Sequence, residues 1–179
     1  QDGLQIIRDD EQFTLRCPAD VGATDDPIDV SPVDLLLLTV KTYHNQQAVR
    51  DMLPMVEPDT AVLCLQNGID SYKAAEEHVG AERVLPGAAY IEAGMPNPGV
   101  VTQKGAVVRI VFGELDGSVS RRGTQVRESL EAAGIPALFT QDIGLTLWSK
   151  FLFIATMAGV TTLSRQTLAE LLVREEWRQ

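Results

Sequence analysis

The sequence predicts an α/β protein whose tail, from about residue 142, turns all-α. Three observations carry that prediction. The runs Val33-Asp-Leu-Leu-Leu-Leu-Thr-Val40 and Ala61-Val-Leu-Cys-Leu65 suit strands covered on both faces of a parallel sheet. A helix-like stretch, Asn45 to Met52, lies between them, as a parallel crossover requires. Beyond Asp142, apolar residues recur at helical rather than strand spacing.

Taken in order, Leu4–Ile7 and Gln12–Leu15 flank the acidic turn Arg8-Asp-Asp-Glu11 and predict a hairpin. After the turn-like Thr24-Asp-Asp-Pro27 comes the first buried strand, then the Asn45–Met52 helix and the Ala61–Leu65 strand, a βαβ unit expected to cross over right-handed. A helix over about 71–78 and a strand at Arg83–Ala88 follow. Gly94-Met-Pro-Asn-Pro-Gly99 is rich enough in Pro and Gly to predict a loop. Val100–Gln103 and Ala106–Phe112 then suggest an antiparallel pair. Ser118–Ala133 has helical spacing, Gly134 stops it, and Ala137–Phe139 reads as a short strand. Asp142 stands where an N-cap belongs, before Leu145, Leu147, Trp148, Phe151, Leu152, Ile154 and Ala155, which predict a long, mostly buried helix. Gln166–Trp177 predicts a further amphipathic helix. The change of class places a domain boundary near residue 141.

Composition excludes several functions. Apolar residues make up 45% and charged residues 22% of the 179, the balance of a globular protein with a sizeable core rather than a disordered chain. Acidic side chains outnumber basic ones 25 to 15, and a net charge of −10 makes nucleic acid an unfavourable partner. The uncharged stretch Phe151–Leu163 is short for a membrane span, and no signal-peptide pattern is present, so no membrane association is expected. Two cysteines, Cys17 and Cys64, indicate no disulfide framework, and a reducing cytoplasm is the default. The sequence opens without Met and stops inside a helical pattern, which reads as a middle slice of a longer protein.

Lys41 directly follows the first buried strand, at the carboxyl end where open α/β sheets bind ligands. It is placed to contact a cofactor phosphate or ribose, or else is a surface lysine in a strand-to-helix loop. Asn67-Gly68 ends the next strand in the same way; the amide is suited to orienting a cofactor or substrate carbonyl, although Asn-Gly is also a common tight turn. Two successive strands thus deliver polar groups to one edge. Lys150 is the lone charge on an apolar helix: from Phe151 through Ser164 there is none, and Leu147, Phe153 and Ile154 lie three or four residues away. Partial burial would disfavour its charged form and suit it to general acid chemistry; the alternative is a snorkelling lysine covering apolar surface. His44 and His78 are too few and too isolated for a metal site. The phosphate-cradling Gly-x-Gly-x-x-Gly is absent from these residues.

The order of Val33–Tyr43, Leu65-Gln-Asn-Gly-Ile-Asp70, Leu147-Trp-Ser-Lys-Phe-Leu152 and Thr162-Leu-Ser-Arg165 resembles the ketopantoate reductases, 2-dehydropantoate 2-reductases of pantothenate biosynthesis. The resemblance spans nearly the whole chain. It implies an incomplete Rossmann-type dinucleotide-binding domain over residues 1–141, followed at 142–179 by the start of an all-α domain for substrate and dimerisation. It further implies NADP as cofactor, a 2-keto acid as substrate, Lys41 and Asn67 as cofactor contacts, and Lys150 as the catalytic acid. The family's substrate asparagines, four, eight and eighteen residues beyond that lysine, are here Ile154, Ala158 and Leu168. A more apolar keto acid than ketopantoate is therefore expected. The family's glycine-rich loop and its later Ser and Glu fall outside this sequence, so the 179 residues alone are expected to be inactive. Family members are often dimers, which makes a homodimer an expected assembly. The competing readings are another two-domain hydroxyacid or opine-type dehydrogenase, a Schiff-base lysine enzyme, and a non-catalytic binding or oligomerisation module built on the apolar helix.

Overall fold

The computed structural model describes residues 3–173. These form seven strands, β1 (Leu4–Arg8), β2 (Glu11–Leu15), β3 (Leu35–Leu38), β4 (Ala61–Cys64), β5 (Val84–Asn97), β6 (Val100–Phe112) and β7 (Ala137–Phe139). Five helices accompany them: α1 (Asn45–Asp51), α2 (Lys73–Val79), α3 (Arg121–Ala132), α4 (Ile143–Ser164) and α5 (Leu168–Leu172). The strands make one mixed sheet in the order β2-β1-β6-β5-β4-β3, with β7 beside β6.

β3, β4 and β5 run parallel, joined through α1 and α2. β4 shows why its sequence is apolar throughout. Side chains alternate across a strand, so Val62 and Cys64 pack with Val49 of α1, Met52 directly after it, and Ala75 and Val79 of α2, while Ala61 and Leu63 pack with Val126 and Leu130 of α3. Both faces are covered, and every residue of β4 is buried. The hydroxyl of Ser120 caps α3 by accepting from the Gly123 N–H at 2.9 Å. Gly123 lets that helix approach β7: a Cβ there would lie 2.2 Å from Cζ of Phe139. Glu114, nearly buried, accepts from Nε of Arg122 at 2.9 Å and pins the segment after β6 to α3.

The region around residues 94–106 differs from the sequence expectation. Gly94–Asn97 is not a loop but the end of the 14-residue β5, and Val100–Gln103 and Ala106–Phe112 are not partners of one another but one continuous strand, β6. The turn is confined to Pro98-Gly99, with Gly99 at φ +77°. Pro96 falls where the register slips between Gly94 and Asn97, so its missing N–H costs no regular ladder bond. A second slip, between Tyr90 and Glu92, falls where Gly105 adopts φ +74°: two steps along β5 face five along β6, from Arg109 to Lys104. The glycine signals mark bulges within a long hairpin as well as its turn.

The long helix is present, and its N-cap is as predicted: Asp142 accepts from the Leu145 N–H at 3.0 Å. Its burial is not. Among its residues only Ile143 and Leu147 are buried, on Ala88, Ile69, Tyr72 and Tyr90, and beyond Lys150 its residues are at most half-buried. Leu152 is 60% and Leu163 88% exposed. By length and composition this helix could cross a membrane, but its first two turns and Lys150 are fastened to the sheet. Arg165, at φ 52°, ends it. The last helix starts at Leu168, later than predicted, because Thr167 and Glu170 form a reciprocal capping box; residues 174–177 of the predicted helix lie outside the described residues.

Candidate active site

The carboxyl ends of β3 and β4, the bulged part of the β5–β6 hairpin and the second and third turns of α4 enclose a cleft of about 930 Å³. Lys41, Asn67, Lys150 and Ile154 all line it. Four positions singled out in the sequence therefore converge. Ala158, one turn further along α4, and Leu168 on α5 do not line it.

Lys41 follows β3 in extended conformation (φ −63°, ψ 141°), and its carbonyl accepts from the His44 N–H at 2.8 Å, closing a single turn before α1. Its side chain is exposed on the cleft side. Asn67 follows β4, where Gly68 at φ +133° bends the chain through a conformation that side chains rarely allow. Between these loops lies Gln66, 5% exposed, whose Nε2 donates to the Val40 carbonyl at 2.7 Å and to the Asn45 side chain. Asn45 in turn donates to the Ser71 carbonyl at 3.0 Å. This buried amide network ties the loops that carry Lys41 and Asn67 to each other and to α1. Among the described residues Gln66 Oε1 has no hydrogen-bond partner.

Lys150 approaches from α4. Its Nζ donates to the Ala89 carbonyl at 2.7 Å and stands 5.4 Å from the centroid of the Tyr90 ring. Half-burial pushes its pKa down from the ordinary lysine value, because removing solvent disfavours the charged form. The wall around it is mixed. Val107, Phe153 and Ile154 are apolar, whereas Lys104 and Glu92 face each other across the hairpin at the rim. The cleft thus gathers three lysines against one carboxylate in a chain of net charge −10, a donor set that suits an anionic ligand.

Gln66, Tyr90, Glu92 and Lys104 were not singled out in the sequence. Gln66 carried a readable signal, an amide directly after a wholly apolar strand. Tyr90 and Lys104 carried none, since their positions depend on a strand continuing past Ala88 and on a bulge around Gly105.

Parallel strands with helices on both faces, and a polar cleft at the strands' carboxyl ends, define a Rossmann-type α/β protein. Residues 1–117 match the family model for ketopantoate reductase PanE/ApbA, and the chain belongs to that family. It is 29% identical over 145 residues to the uncharacterized oxidoreductase YkpB of Bacillus subtilis, covering 81% of this chain and 48% of that protein. The crystal structure of 2-dehydropantoate 2-reductase from Geobacter metallireducens matches with a TM-score of 0.88 and 29% identity, over 99% of this chain and 57% of that one. A D-mandelate dehydrogenase in complex with NADH matches with a TM-score of 0.73 and 27% identity, over 82% and 49%. The chain spans about half the length of the curated relatives it matches.

Proposed function

We propose that this chain is the cofactor-binding and proton-donating part of an NADPH-dependent reductase of 2-keto acids, with residues 1–141 forming the cofactor domain and 142–179 opening the substrate domain. The observation that carries the proposal is Lys150: a half-buried ammonium on an apolar helix, in one cleft with Lys41 and Asn67. NADPH, when bound, supplies the hydride. Lys41 is suited to a phosphate or ribose oxygen of that cofactor and Asn67 to an amide or hydroxyl of it. Lys150 holds its proton at the substrate's carbonyl oxygen, transfers it as negative charge develops there, and regains a proton from solvent. Its depressed pKa brings proton donation closer to neutral pH.

The substrate class follows from the same wall. Of the three positions where the family's asparagines are matched, Ile154 lines the cleft, beside Phe153 and Val107. An apolar wall supports a 2-keto acid with an apolar substituent over the hydroxylated side chain of 2-dehydropantoate, and the likeness to a D-mandelate dehydrogenase points the same way. The test is NADPH oxidation by the full-length protein with 2-dehydropantoate and phenylglyoxylate, for wild type and Lys150→Ala. We expect wild-type turnover, faster with phenylglyoxylate, and a loss of roughly 10²- to 10⁴-fold in kcat for the variant with NADPH binding retained. A wild-type protein that binds NADPH and reduces no 2-keto acid overturns the proposal.

A further inference from the structure

Lys150 does not sit alone over the sheet. The ring of Tyr90, 5.4 Å from its Nζ, lies at 4.7 Å from the guanidinium carbon of Arg109. Tyr90 and Arg109 are direct cross-strand partners on β5 and β6, so the antiparallel ladder itself sets their spacing. They are also the last regular pair before the register slips at Tyr90/Glu92. The ring is therefore anchored at the point where the hairpin bends to form the cleft wall, a common use of a bulge beside a site. Ala89, whose carbonyl accepts from Lys150, is the residue next to it on the same strand.

We propose that Tyr90 is a positioning residue for Lys150, its ring face, steadied by Arg109, holding the ammonium together with the Ala89 carbonyl. An ammonium has three N–H donors. With one spent on Ala89 and another turned to the ring, one remains for a ligand oxygen in the cleft. A ring face attracts a cation and not a neutral amine, so Tyr90 also favours the protonated form that donation requires. The other charged groups lining this cleft are Lys41, Glu92 and Lys104, and Arg109 stands on the Tyr90 ring; none makes an ion pair with Lys150 among the described residues. The inference rests on Lys150 being the general acid.

The experiment compares wild type, Lys150→Ala, Tyr90→Phe and Tyr90→Leu in the full-length protein, using NADPH with 2-dehydropantoate or phenylglyoxylate, whichever turns over faster. Tyr90→Leu is expected to lower kcat roughly 3- to 30-fold, the factor that corresponds to a lost cation–π contact. KM for NADPH is expected to stay unchanged. The fall in kcat at high pH should begin at lower pH, because the lysine loses a group that favours its charged form. Tyr90→Phe keeps the ring and is expected to restore both. If Tyr90→Leu does not fold, Tyr90→Met supplies similar apolar volume without the ring and carries the same expectation. Wild-type kcat and pH profile in the leucine or methionine variant overturn the proposal, as does a phenylalanine variant no better than leucine. A collapse in Lys150→Ala alongside an unaffected Tyr90→Leu removes only the positioning role; an unaffected Lys150→Ala removes both.

Discussion

β4 and α4 are both strongly apolar, yet they meet opposite fates. Each residue of β4 is buried, because α1 and α2 cover one side of the sheet and α3 the other. α4 buries only Ile143 and Leu147 and leaves Leu152, Phe153 and Leu163 exposed, since only its first turns meet the sheet. Apolar composition states a preference for burial; a second element has to arrive before the preference becomes stability. The candidate site lies at the junction of the two regimes, where α4 leaves the sheet carrying Lys150.

The sharpest way to break the comparison is a pair of truncations in the 179-residue chain. Phe112, fully buried and stacked on Phe139 at 5.4 Å, should cost about 3–5 kcal/mol on replacement by alanine. Leu152→Ala on the bare part of α4 should change stability by less than about 0.5 kcal/mol. Urea unfolding measures both, and equal losses would show that α4 is covered after all. Gly123→Ala probes the covered side from the opposite direction. The added methyl collides with Phe139, and overpacking should cost about 1–3 kcal/mol, seen as a lower urea midpoint.

A smaller effect, of informative sign, is expected at the junction itself. Because burial lowers the pKa of Lys150 in the folded chain, the unfolded chain binds its proton more tightly, and the native state carries a penalty at neutral pH. That penalty is relieved as pH rises from the depressed native value towards the unfolded lysine value of about 10.4. Lys150→Met should therefore leave the melting temperature at pH 7 equal to or above that of wild type, with the difference shrinking by pH 10. A clear drop at pH 7 would mean that the Ala89 hydrogen bond and the Tyr90 ring outweigh the desolvation.

Much of the candidate site was legible in the sequence. Lys41 and Asn67 each follow an apolar strand, and Lys150 is the single charge in an apolar helix, so position in the pattern was enough to mark them. The hairpin was not legible in the same way. Pro96, Gly94 and Gly105 signal departures from regular backbone, but a turn, a bulge and a loop share those residues, and only the cross-strand register tells them apart. Tyr90, Glu92 and Lys104 owe their place in the cleft to that register.

By itself the sequence determined most of the strand and helix order, the cap at Asp142 and the apolar runs that make the sheet, because these depend on contacts within a few residues. Tertiary structure decided three things: that β5 and β6 form one long bulged hairpin, that Gln66 locks the loops carrying Lys41 and Asn67, and that α4 remains largely bare. Each depends on partners distant in sequence, and neither composition nor periodicity records which partner a surface will meet.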